Sequence, residues 1–333
     1  MKKNNTVCLV IGWWILSAGY WAQADSLNDP YVSVNRNPFV QVYGLPAAQS
    51  AQLTSDGQLK TGLQLEVSNN FTEHSNSTEA IFIDGETHRA NVQFRYGFAD
   101  GIEFGVDIPY LSHDSGRLDG FIEDWHDFWN FPTGDRPKFP RDQLQLTYQN
   151  NGQTISSLSR SDDGIGDISF SVGYQLSKST SRQWALRSAI KLPTGDAGSL
   201  LGSESTDISL GVNVSDQGLL RDDNISLHGS VGLLWMESGE VLDDFREDWV
   251  VYGSSTVSWL ATDTVSLKLQ LDVHSAFYDS ALTELGSDSA QLIVGGAIRL
   301  NQKWVLDLAV SEDIAVDTAP DVVFHIGIKT GEW

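Results

Sequence analysis

The sequence predicts an all-β chain: a twelve-stranded antiparallel transmembrane β-barrel, up-and-down in topology, with both termini on the periplasmic side. Three observations predict it. Polarity alternates with period two in segment after segment from residue 59 onward. Short turns and long loops alternate between those segments. Aromatic residues mark the segment ends, in phase with the apolar positions.

The alternation is that of half-buried strands, 180° per residue. Leu59, Thr61, Leu63, Leu65 and Val67 share one face, and Lys60, Gln64, Glu66 and Ser68 the other. The same pattern runs over 87–98, 102–110, 166–176, 184–192, 207–214, 224–235, 249–259, 264–277, 290–300, 304–310 and 322–328. The connections 98–101, 178–183, 215–223, 260–263 and 300–303 are short, whereas 71–86, 111–165, 193–206, 236–248, 278–289 and 311–321 are long. In bacterial barrels the short side is periplasmic and the strand number even. Phe98, Trp184, Trp259 and Trp304 stand at short-turn ends, and Tyr110, Trp235, Trp249 and Phe277 at long-loop ends, as two girdles. A soluble β-sandwich also alternates, but it buries apolar residues from both sheets. Here the second face is densely polar, and a closed barrel satisfies its backbone groups in lipid.

The N-terminus fits this reading. Lys2 and Lys3 precede an apolar run from Val7 to about Trp21, closed by Ala22-Gln23-Ala24. That is a secretory signal peptide over 1–24, implying export to the outer membrane of a Gram-negative bacterium. Cys8, the only cysteine, lies inside it, so a mature chain cleaved after Ala24 has no thiol. Residues 25–57 form a periplasmic N-terminal segment that either inserts as a plug or lies beneath the barrel, which spans 58–333. The chain closes on "FHIGIKTGEW", where Phe324, Ile326 and Ile328 alternate with His325, Gly327 and Lys329. Its terminal aromatic resembles the signal read by the outer-membrane assembly machinery. Trp333 is out of phase with the preceding apolar residues, which predicts a bulge over 330–332.

The chain carries 21 Lys and Arg against 44 Asp and Glu, a formal net charge of −23. Phosphate backbones demand a basic face, so nucleic acid is excluded as a partner. Strand parity sorts the charges. Lys60, Glu66, Arg89, Arg95, Glu103, Asp107, Asp167, Arg187, Lys191, Lys268, Asp272, His274, Arg299, Asp307 and Lys329 point inward, with acids and bases near balance. The excess acidity therefore lies in loops, turns and the N-terminal segment. The inward charges either line a water-filled pore or form an ion-pair lattice filling a narrow barrel. Twelve strands fall between the ~8 that side chains fill and the ~16 of open porins.

The loop 111–165 is too long for a plain connection. Phe121, Trp125 and Phe128 follow helical spacing, with His126 and Trp129 beside them. That short helix would serve as a constriction, a lid, or an apolar knob packing the loop on the rim. Residues 142–158 read as a hairpin turning at Asn150-Asn151-Gly152. Catalytic signals are sparse. His113 and Ser115 in "SHDSG" offer an alternative base–nucleophile pair, faintly like outer-membrane phospholipases and deacylases. Gly116 stands where those enzymes place Asn. Asp162, Asp163 and Asp167 surround glycines as a calcium loop would, without its spacing or closing Glu. No cofactor is implied beyond Ca²⁺ or Mg²⁺ held loosely by the acidic loop clusters, which include Glu123/Asp124/Asp127, Asp243/Asp244/Glu247/Asp248 and Glu284/Asp288.

The stretches "NRNPFVQVYGLPAAQS" (35–50), "RYGFADGIEFGVDIPYL" (95–111), "GFIEDWHDFWNFPTGDRPKFPRDQ" (120–143), "DDGIGDISFSVGYQL" (162–176) and "IKLPTGD" (190–196) resemble a proteobacterial outer-membrane β-barrel family known as a domain of unknown function. Several are also similar to barrels described as transporters linked to aromatic degradation. The resemblance implies fold and location. With the polar inward face it predicts a narrow pore or transporter for small solutes. The alternatives are an outer-membrane lipid hydrolase and a structural or surface-interaction barrel without transport. Outer-membrane lipid, lipopolysaccharide and the assembly machinery are the expected partners.

Overall fold

The structure, a computed structural model, describes residues 25–121, 124, 138–179, 181–217, 219–220, 222, 224–315 and 317–330. Among them strands β1 (Leu59–Ser75), β2 (Glu79–Ala99), β3 (Ile102–Asp114), β4 (Gln145–Asn150), β5 (Gln153–Leu158), β6 (Asp162–Ile165), β7 (Ser169–Lys178) and β8 (Arg182–Lys191) lead into the second half. There follow β9 (Asp207–Asp216), β10 (Ile225–Met236), β11 (Trp249–Thr262), β12 (Val265–His274), β13 (Ser289–Arg299), β14 (Trp304–Asp313) and β15 (Val322–Thr330). Omitting β4, β5 and β6, twelve strands make a closed antiparallel barrel. The seam pairs β1 with β15, Leu65 opposite Ile326. No helix among the described residues is long and apolar enough to cross a membrane.

Alternation sets the two faces. Phe94, Phe104, Val172, Leu269, Val294 and Ile326 stand exposed on the outside as an apolar belt, while Gln64, Glu66, Asn91, Thr256, Gln270 and His325 are buried inside. Phe98, Trp184, Trp259, Tyr110 and Trp249 are exposed at the belt's edges. Phe277 is not among them. It is 1% exposed and packs against Tyr43, ring centroids 5.6 Å apart, because β12 ends at His274 and the chain turns inward there.

Two further expectations are corrected. The predicted loop 71–86 is strand. β1 and β2 stay paired up to Ser75 opposite Ala80, and Asn76 closes the turn by accepting the Thr78 and Glu79 amides. This part rises past the belt, where outward positions such as Glu73 need not be apolar, and the signature fades. The strand expected from 166 begins at Ser169; β6 pairs with the top of β3 instead, leaving 166–168 as a break. The hairpin expected over 142–158 is present as β4 and β5. Asn151 (φ 50°) and Gly152 (φ 74°) supply the left-handed pair that a tight two-residue turn needs.

Residues 25–58 run inside the barrel as a hairpin. The ascending leg starts at a helical turn, Asp25–Asn28, near the short-turn end, where Leu27 packs on Ala297 and Val305. Its tip is the "NPF" turn, with the Asn37 side chain accepting the Phe39 amide and its carbonyl accepting those of Val40 and Gln41. The descending leg returns along β9, β8 and β3 and meets β2 at the Asp56–Gly97 bridge, just before β1. At the long-loop end an apolar dome closes over the tip. Ile81, Ile83, Leu146 and Tyr148 pack there with Phe39, Val42, Tyr43, Val241, Phe277, Tyr278 and Leu285.

Candidate functional site in the lumen

The hairpin has almost no sheet partners, so its backbone groups need others. The inward wall residues supply them. Gln270 accepts from the Tyr31 amide (2.8 Å) and donates to the Tyr31 carbonyl (3.1 Å). Lys268 donates to the Asp29 carbonyl (2.8 Å), Ser258 to that of Asn28 (2.8 Å) and Lys191 to that of Val42 (3.0 Å). On the descending leg Asp207 accepts the Gly44 amide (2.7 Å), and Glu103 accepts both the amide and the hydroxyl of Thr54 (2.7 and 2.6 Å). A Cβ on Gly44 would stand 3.1 Å from Lys191 Cβ and 3.2 Å from Asp207 Cβ, so glycine lets the leg lie this close.

The inward ions pair across these contacts. Arg36 of the hairpin reaches Glu66 (2.6 Å), which also meets His325 (3.0 Å) and Arg89 (3.4 Å). Lys191 bridges Asp167 and Asp207 (2.8 and 2.9 Å), Lys268 pairs with Asp307 (2.7 Å), and Lys329 reaches the same Asp307 (2.8 Å). Arg187 holds Glu103 (2.5 Å). Asp272 accepts from Gln270 (3.0 Å), and His274 accepts from Asn35 while donating to the Ser275 carbonyl. Arg299 is half-buried at the short-turn end of β13.

Most of the free lumenal space lies on one flank; a pocket of only about 20 Å³ faces β10 to β13 on the other. An upper cavity of about 120 Å³ lies between the hairpin and strands β2, β3, β7 and β8, and a lower one of about 110 Å³ opens toward Lys60 and Lys329. They share four lining residues: Val32 and Gln49 on the hairpin, Gln93 and Arg95 on β2. Arg95 is fixed there by Asp107 (2.7 Å), which also accepts from Gln93 (2.9 Å) and Asn91 (3.3 Å). Arg36, Lys60, Arg89, Arg95, Arg187, Lys191 and Lys329 face the two cavities, against Asp29, Glu103, Asp107 and Asp167. Glu66, Asp207 and Asp307, which pair with Arg36, Lys191 and Lys329, do not themselves line the cavities.

Of the inward charges expected to line a pore, Lys60, Arg89, Arg95, Glu103, Asp107, Asp167, Arg187, Lys191 and Lys329 border the two cavities, whereas Glu66, Lys268, Asp272, His274, Arg299 and Asp307 do not. The waist between the cavities is made with the hairpin. The other sequence candidates fare differently. His113 is fully buried, with Nδ1 on the Thr87 hydroxyl (2.8 Å) and Nε2 on the Leu200 carbonyl (3.2 Å). Ser115 lies past the end of β3 and lines an outer crevice, so the two do not meet. Asp162, Asp163 and Asp167 are also kept apart. Asp162 holds Ser199, Asp163 holds the Tyr110 hydroxyl, and Asp167 takes the Thr194 and Gly195 amides and Lys191. Phe121 packs on outward-facing Phe324 (6.0 Å between centroids), placing the start of its segment outside the wall. Trp125, His126, Phe128 and Trp129, like Glu123, Asp127 and Trp333, lie outside the described residues. Among the acidic loop clusters, Asp243 and Asp248 gather on Arg246, and buried Glu284 holds His74.

A closed twelve-stranded barrel with an apolar outer belt and a polar, occupied lumen defines a transmembrane β-barrel protein. The chain belongs to the family described as "Protein of unknown function (DUF3187)", whose model matches residues 9–331. No curated protein matches it. Among solved structures it is similar to the COG4313 outer membrane channel from Pseudomonas putida F1, at 12% identity and a TM-score of 0.54 over 84% of this chain and 96% of that one. The Ralstonia pickettii toluene transporter TbuX matches at 11% identity and a TM-score of 0.40, over 95% and 99% of the chains. The NanC porin matches at 7% identity and a TM-score of 0.47, over 83% and 100%. The first of these likenesses supports the barrel fold.

Proposed function

We propose that this chain is an outer-membrane channel in which the N-terminal hairpin acts as a fixed plug and small polar solutes pass beside it. The observation that carries this reading is the pair of cavities adjoining at Val32, Gln49, Gln93 and Arg95. Short turns face the periplasm and long loops the exterior, as is general for such barrels. Buried Arg36 Nε, Arg187 Nε and Asn91 Oδ1 lack protein partners beside the cavities, which suits a polar traveller. The basic excess along the path favours anions over cations. The apolar dome covers the outer end, so entry requires it to open.

Planar-bilayer recording tests this. Wild type is expected to give small conductance steps with a reversal potential favouring anions. Arg95→Ala should enlarge the steps and weaken that preference. Absence of channels in wild type, Arg95→Ala and a Gln270→Leu variant that loosens the hairpin would remove the pore reading.

A further inference from the structure

We propose that Glu86, His88 and Asp114 form a divalent-cation site of the zinc class on the outer face of the barrel, at the long-loop end of the β2–β3 hairpin. Register brings them together. Glu86 stands directly opposite Asp114, and His88 is two residues along β2 on the same outward face. His88 Nε2 is 3.6 Å from Glu86 Oε2 and 3.6 Å from Asp114 Oδ2. That is too long for a hydrogen bond. It suits donors sharing an ion, because ligands about 2.0–2.2 Å from zinc at a tetrahedral angle stand roughly 3.3–3.6 Å apart. One donor atom from each residue lies within 4.8 Å of the others.

Glu86 shows the need for a cation. It is 3% exposed, and its Oε1 already accepts the amides of Arg117 (2.7 Å) and Leu118 (2.5 Å). Its Oε2 is therefore left aimed at His88 and at a second carboxylate. A buried carboxylate beside another acid is costly unless positive charge compensates it. An imidazole with two carboxylates fits zinc and its first-row neighbours, whereas calcium and magnesium take all-oxygen shells. A crevice of about 560 Å³ lined by Ser115, Gly116 and Arg117 leaves room for the water that a three-donor site admits. Asp114 ends β3 and begins the long loop, so an ion here ties the loop's base to β2.

The test uses untagged full-length barrel, purified with chelator and then given zinc, with folding checked by the mobility of unboiled samples. Competition against a chromophoric chelator should reveal one site per chain in wild type. His88→Ala and Asp114→Asn should each weaken it by more than the roughly 10–100-fold that loss of an outer-shell partner costs. Asp162→Asn should leave it unchanged. Zinc should also slow tryptic cleavage at Arg117 in wild type and not in His88→Ala. Equal zinc affinity in folded wild type and His88→Ala would overturn the proposal. Protection by calcium as strong as by zinc would overturn the assigned class.

Discussion

The two flanks of the lumen are built from the same alternating polar residues and do opposite things with them. Against β10 to β14 the ascending leg is bound tightly: Gln270 grips both backbone groups of Tyr31, and Lys268 and Ser258 grip Asp29 and Asn28. Against β2, β3, β7 and β8 the charges pair largely with one another along the wall, and two cavities remain. An inward charge can thus solvate a buried loop, as Lys268 does, or line a path, as Arg95 does, and Glu103, Arg187 and Lys191 do both. Its position on the strand does not say which. What decides is how closely the hairpin lies against the wall in front of it.

Substitutions can separate the two flanks. The largest effect is expected on the filled side. Lys268→Met leaves Asp307 with Lys329 alone and frees the Asp29 carbonyl, and breaking such a buried pair costs about 3–5 kcal/mol. The midpoint of urea unfolding in detergent reads it. Gln270→Leu strands the amide and carbonyl of Tyr31, for about 2–3 kcal/mol. It should also raise single-channel noise as the leg loosens. On the open side Arg95→Ala should cost only about 1 kcal/mol, because Asp107 keeps Gln93 and Asn91. Its main effect is on conductance. Were Arg95→Ala to destabilise as much as Lys268→Met, the two flanks would not differ in kind.

The smallest effect concerns the dome. Burial alone would raise the Glu79 carboxyl, but donors from Ser280, Tyr148 and the Ala281 amide outweigh it and hold it below the ordinary glutamate range. A carboxyl depressed on folding adds stability above its unfolded value, about 4.3, and loses it as pH falls through the lower folded value. Proteolysis of the β4–β5 hairpin should therefore quicken once pH drops below about 4. Glu79→Gln should flatten that dependence.

The barrel was legible because lipid imposes a rule on every residue it touches. Leu65, Phe94 and Ile326 had to be apolar, and their neighbours were thereby assigned inward. The rule lapses above the belt, which is why the extension of β1 and β2 read as a loop although Ile81 and Ile83 alternate there. It is silent on residues 25–58, whose partners are wall side chains; clustered Asn35, Arg36 and Asn37, all buried, left no periodic trace. Parity placed Gln93 and Arg95 inward but could not mark the waist they form with Val32 and Gln49. Glu86, His88 and Asp114 leave no signature in the sequence, because only the β2–β3 register joins them.

The hairpin also constrains the order of assembly. Asn28 and Tyr31 find partners 198 to 277 residues further along the chain, so the ascending leg cannot dock until the C-terminal half exists. Yet the same segment continues directly into β1, the strand that seals against β15. Docking of the leg and sealing of β1 on β15 thus both wait for the C-terminal strands, and each requires a long chain closure of the kind that slows folding.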